Sequence, residues 1–105
     1  PLVPVFARAQ LARLGEEIGR LVARGIVDAK LSKKLQKKLD HAAEAMDREK
    51  PGTARGQLRA FIHMVESEIR KGALARSVGD TLIAVASKVI EQLGIDNTDD
   101  HEEDS

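Results

Sequence analysis

Cysteine, tryptophan and tyrosine are absent from this chain, and phenylalanine occurs only twice, as Phe6 and Phe61. Without cysteine there is no disulfide scaffold, no thiol nucleophile and no thiolate-held metal. The compartment stays open, since cysteine-free chains occur on both sides of a membrane. So few aromatics leave almost nothing on which bases or sugar rings could stack. No apolar run reaches the roughly 18 to 20 residues that cross a bilayer, and no leader pattern opens the chain, so no membrane insertion is expected. The first residue is Pro1 rather than Met, which points to a processed chain or a piece of a longer one. Net charge is missing as well, with 17 Lys and Arg against 17 Asp and Glu.

That balance hides a division. Asp96, Asp99, Asp100, Glu102, Glu103 and Asp104 crowd the last stretch, which holds no lysine or arginine. Without these six, 17 basic residues face 11 acidic ones. A basic body attracts nucleic acid, anionic lipid or acidic polysaccharide, while the plainer reading is a solvated surface beside a solubilising tail. The tail lacks the alternating ligands and central glycine of a calcium loop, and it has too little apolar content to offset the entropy of ordering. Residues 95–105 are therefore expected to be an acidic disordered tail.

What the chain has in abundance is helical periodicity. Residues 1–6, with two prolines, read as an entrance linker whose Val5 or Phe6 packs on the domain. A first helix is expected from Ala7 to Arg24, with Leu11, Leu14, Ile18, Leu21 and Val22 on one face and Gly25 as its stop. Gly15 and Gly19, four apart, would permit close approach of a neighbour. Asp28 is a fitting N-cap for a second helix reaching about Glu49, before a turn at Pro51-Gly52. Thr53 is expected to cap a third helix with the stripe Ala54, Leu58, Phe61, Ile62, Val65 and Ile69, ending at Gly72. After a linker plugged by Leu74, Ser77 and Asp80 suggest a capping box for a fourth helix ending at Gly94. Its apolar residues, Val78 to Leu93, span the widest arc, so it should be the most buried. No strand alternation competes. The connections are a few residues long, so the expected fold is all-α, an up-and-down antiparallel four-helix bundle over residues 7–94.

Catalytic chemistry is hard to find. His41, His63 and His101 lack ligand partners at helical spacing beyond unspecific acids, so no metal or other cofactor is expected. Glu16 with Glu17, Asp40 with Glu44, and Glu66 with Glu68 fall on polar faces rather than in a shared cleft. No Ser, His and acid form a triad, and no glycine-rich loop follows a strand to cradle phosphate. The chain does not read as an enzyme.

One surface stands out. In the second helix Leu31, Leu35, Leu39, Ala42 and Met46 lie within an arc of roughly 80°, and Lys30, Lys33, Lys34, Lys37 and Lys38 fill another of roughly 140°. His41 and Arg48 project from the same side. These lysines with His41 are the candidate binding residues for an anionic polymer, through phosphate or sulfate contact, set against the ordinary role of lysines on a solvated helix.

Taken together, the order Leu21-Val22-Ala23-Arg24-Gly25-Ile26, Ala29 to Leu39 with Ala42 and Ala43, Gln57-Leu58-Arg59-Ala60-Phe61-Ile62 with Val65, and Leu82 to Leu93 resembles the FIMAH-type helical domains. The most specific piece is Leu58-x-x-Phe61-Ile62-x-x-Val65, about thirty residues after a Gly-Ile helix break. Such domains are appended, often near the C-terminus, to multidomain secreted bacterial and archaeal proteins, including glycoside hydrolases and peptidases. The resemblance implies a non-catalytic accessory module, acting as spacer, docking element or dimerisation domain in an extracellular or cell-surface protein. Its partners would be other domains of the same polypeptide, another protein or a second copy of the chain. A basic module gripping an anionic polymer, polysaccharide or nucleic acid, is the alternative. Self-association through an apolar strip near Val5, Phe6 and Met64 is a third.

Overall fold

The computed structural model describes residues 5–95, and these form four helices. They are α1 (Val5–Ala23), α2 (Ala29–Asp47), α3 (Pro51–Arg70) and α4 (Arg76–Ile95). Each helix packs on its neighbour in sequence, and α4 closes on α1, which gives the expected antiparallel bundle. Two contacts fix the common end of the helices. Arg8 Nε at the start of α1 lies 3.2 Å from Asp47 Oδ1 at the end of α2. Arg55 Nη1, near the start of α3, donates to the Leu93 carbonyl near the end of α4 at 3.4 Å. The starts of α1 and α3 and the ends of α2 and α4 therefore share one end of the bundle, and the Gly25 and Gly72 turns lie at the other.

The core is built from the stripes read from the sequence, with Val22, Ile62 and Ile69 only partly buried at its edge. Leu11, Leu14 and Ile18 of α1, Leu35 and Leu39 of α2, Leu58, Phe61 and Val65 of α3, and Leu82, Val89 and Leu93 of α4 are all buried. The fourth helix is not the most buried. Ile83, Val85 and Ile90 only flank the core, so its wide apolar arc is not fully covered.

Gly25 (φ 74°) and Gly72 (φ 80°) adopt the left-handed conformation that ends a helix without a Cβ penalty. The two turns repeat each other. Gly25 N donates to Val22 O at 2.9 Å and Ile26 N to Leu21 O at 2.9 Å, while Gly72 N and Ala73 N donate to Ile69 O and Glu68 O, each at 3.0 Å. Two residues after each glycine an apolar plug is 3% exposed, Val27 in the first turn and Leu74 in the second. Ile26 is 41% exposed, so Val27 rather than Ile26 corresponds to Leu74.

Several boundaries differ from the sequence expectations. The helix α1 starts at Val5, two residues inside the expected linker, and Val5 and Phe6 are 81% and 53% exposed instead of packed on the domain. The bundle end moves by one residue, since α4 runs to Ile95 rather than Gly94. Pro51 and Gly52 belong to α3, with Lys50 as N-cap, so Thr53 is not the cap. Proline suits this position because its missing N–H has no intrahelical acceptor in a first turn. The helix α2 ends at Asp47, and Glu49 takes the left-handed conformation (φ 58°) that glycine takes in the other turns. Ser77 lies inside α4, which begins at Arg76, and Ser77 O accepts from Thr81 Oγ1 at 3.0 Å. Close helix approach falls at Gly79 and, less tightly, at Gly15, where an added Cβ would lie 3.3 Å from Gln36 Oε1 of α2, but not at Gly19. A Cβ on Gly79 would lie 2.7 Å from Ile69 Cγ1, whereas one on Gly19 would meet nothing within 4 Å. The acidic stretch from Asp96 onward lies outside the described residues.

Candidate functional site

Helix α2 owes its position to its cap and to its leucines. The Asp28 carboxylate accepts from Lys30 N at 3.0 Å, which satisfies one of the otherwise unpaired first-turn donors. Leu31, Leu35, Leu39, Ala42, Ala45 and Met46 then seat the helix against the core. The opposite side is turned to solvent, where Lys30, Lys33, Lys34, Lys37 and His41 are exposed and Lys38 is half-buried. All six candidate residues thus share one surface, as their spacing requires. Arg48 is exposed as well, but it is the C-cap of α2, beyond Asp40, Glu44 and Asp47.

The electrostatics of this surface run against the needs of the helix. A helix favours anions near its start and cations near its end. In α2 no acidic residue lies in the first turn and no basic residue in the last. The lysines fill the first half of the helix, and Asp40, Glu44 and Asp47 fill the second. The lysines also stand three or four apart, with Lys34 neighbouring Lys30, Lys37 and Lys38, and like-charged pairs at these spacings oppose helix formation by about 0.2–0.5 kcal/mol each. Among the described residues the ion pairs are Arg8–Asp47, Arg20–Glu17, His63–Glu66 and Lys71–Glu68, so none engages the α2 lysines.

Elsewhere the chemistry is dispersed. His63 is exposed, with Nδ1 3.6 Å from Glu66 Oε1. No group of three or more His, Cys, Asp or Glu among the described residues could hold a metal ion. Between α1 and α4 runs a shallow groove of about 290 Å³ lined by Gln10, Arg13, Leu14, Glu17, Arg20, Thr81, Leu82 and Val85. In it Arg20 Nη2 lies 2.8 Å from Glu17 Oε1, so two of its charges satisfy each other. A second groove, between α3 and α4, holds Glu66 and Asp80 beside Arg70 and Arg76. Its acids and bases are present in equal number. No helix among the described residues is long and apolar enough to cross a membrane.

Two polar residues that the pattern did not single out have structural roles. Arg55, 1% exposed, brings a cation to the C-terminal end of α4, where helix carbonyls lack intrahelical donors. Its signal in the sequence was its place at the edge of the Ala54–Leu58 stripe. Gln36 Nε2 donates to the Gly15 carbonyl at 2.9 Å and so ties α2 to α1. No local spacing announces that contact, because its acceptor is a backbone oxygen 21 residues away.

The described residues form an apolar four-helix bundle whose titratable groups, apart from the buried Arg55, lie toward the outside. The family model for the FIMAH domain matches residues 11–91, and the chain belongs to that family. Comparison with curated proteins and with solved structures gave no match.

Proposed function

We propose that this chain is a non-catalytic accessory module of a larger, extracellular bacterial protein, and that its task is docking. The observation that carries this reading is the arrangement of chemistry around the core. The sequence is spent on a closed apolar interior, and of the described groups that could serve a reaction His41 and His63 are exposed, with only Glu66, 3.6 Å from His63, brought beside either of them as an ion pair. The extracellular setting rests on the company that FIMAH-type modules keep.

Three accessory roles were open, and the bundle's geometry favours one of them. A spacer separates its neighbours best when the chain enters and leaves at opposite ends, but α1 starts and α4 finishes at the same end, as the Arg8–Asp47 and Arg55–Leu93 contacts place them. Such a module hangs from its connections and presents a far end. Dimerisation through Val5, Phe6 and Met64 lacks a continuous strip, because Met64 packs against the core. The other exposed large apolar residue among those described, Ile26, lies 21 positions beyond Val5, roughly 30 Å along the helix direction.

The test is turnover. The purified chain is expected to hydrolyse nothing in a broad panel of glycoside, peptide and ester substrates. Turnover that disappears on His63→Ala or Glu66→Gln would show that a reaction centre exists and would end the accessory reading.

A further inference from the structure

We propose that the lysine face of α2 is a binding surface for a linear acidic polysaccharide, one carrying repeated carboxylates or sulfates. The proposal rests on the accessory reading only in naming what the module docks to.

Three observations converge on that face. The first is its placement. The lysines begin at the start of α2, beside the Gly25 turn, and this is the end of the bundle remote from the start of α1 and the end of α4. The face therefore lies on the side that a pendant module offers to its surroundings. The second is its charge order, since cations at the positive end of the helix, spaced for mutual repulsion, are poorly placed for holding α2 together. Positions that break a local rule without a stabilising return are where function is expected. The third is continuity. Lys30, Lys33, Lys34, Lys37 and Lys38 advance along the helix over eight residues, about 12 Å, so they can follow a chain of regularly spaced anions.

The side-chain types choose among polyanions. Phe61 is fully buried and Phe6 belongs to α1, so among the described residues the one ring on this face is the imidazole of His41, which is too little to stack a run of bases. The run from Lys30 to Lys38 has no arginine, the residue best suited to forked recognition of phosphate and of guanine edges. It also has no exposed large apolar side chain to bury in a lipid interface, since those of the described residues are Val5, Phe6 and Ile26. Lysine ammonium groups are compact, hydrated point charges on flexible stems, which suits a hydrated polymer whose charges must be met but not otherwise read.

The experiment uses the full chain with heparin and polygalacturonate as probes, and a short DNA duplex and phosphatidylserine vesicles as competing classes. Binding to one or both polysaccharides is expected, weakening on the order of 100-fold between about 50 and 200 mM salt if five charges are neutralised. The variant K33E/K34E/K37E/K38E should lose at least tenfold in affinity while keeping its helical circular dichroism. A matched variant, R13E/R24E/R59E/K88E, changes the net charge equally at exposed positions outside α2 and should retain most of the binding. Equal losses in the two variants would reduce the effect to net charge and overturn the assignment. It is overturned also if neither polysaccharide binds at low salt, or if the duplex or the vesicles bind more tightly than both. Any of these failures leaves the accessory reading standing, because that depends on turnover.

Discussion

Lys34 and Leu35 are consecutive residues of α2, one exposed and the other fully buried, and they answer to different demands. The leucine face agrees with every level of the structure. It follows the helical repeat, meets the core, and is held in place by the Asp28 cap. The lysine face follows the same repeat but opposes the helix dipole and sets like charges beside one another. Stability alone accounts for the first face. It does not account for the second, whereas an anionic ligand for the lysines would.

The largest effect is expected from the leucine side. Leu35 is 0% exposed, so Leu35→Ala removes buried methyl groups and leaves a cavity, at a cost of about 2–5 kcal/mol. Denaturant unfolding measures it. If Leu35→Ala unfolded no more easily than the parent, α2 would not be seated as described, and the contrast between its faces would have no footing.

Much of this division was legible in the sequence, because α2 is strongly periodic and opens on a residue whose side chain dictates a cap. The glycine stops at Gly25 and Gly72 were legible for a similar reason, since one residue type relieves the backbone there. The starts of α3 and α4 were misread where two local signals competed. Pro51 suits a turn and a first helical position equally well, and Ser77 looked like a cap although the buried Leu74 already sets where α4 can begin. Arg55 and Gln36 were not singled out because their partners, the carbonyls of Leu93 and Gly15, come from other helices. At the candidate site, periodicity collected the lysines. Only the packing of the helices revealed that they lie toward the far end of the bundle.

An intermediate effect separates cap chemistry from lysine charge. The turns before α2 and α4 have the same backbone bonds, but Asp28 precedes α2 and Ala75 precedes α4, and each carbonyl accepts a first intrahelical bond at 2.9 Å. Asp28→Ala should cost about 1 kcal/mol, and Ala75→Asp should gain a similar amount. Thermal unfolding of the two variants measures both. A gain at Ala75 would show that the start of α4 was left open to improvement, and a loss at Asp28 would confirm that α2 is well capped despite the cations that follow. If Asp28→Ala were neutral, the cap could not be credited with offsetting any of the unfavourable lysine charge.

The smallest effect bears most directly on the lysine face. Lys34→Glu converts three like-charged neighbours, Lys30, Lys37 and Lys38, into opposite-charged ones, each pair being worth about 0.2–0.5 kcal/mol in an exposed helix. Allowing for solvent screening, a net gain of about 0.5 kcal/mol is expected at low salt, shrinking as salt is added because these charges face water. The same substitution should weaken retention on polygalacturonate. Stability and binding would then move in opposite directions at one residue, which is the behaviour of a side chain kept for its ligand. A solvated lysine with no partner predicts the stability gain without the loss of retention. If Lys34→Glu instead destabilised the free chain at low salt, the lysines would be helping to hold α2, and the two faces would answer to the same demand after all.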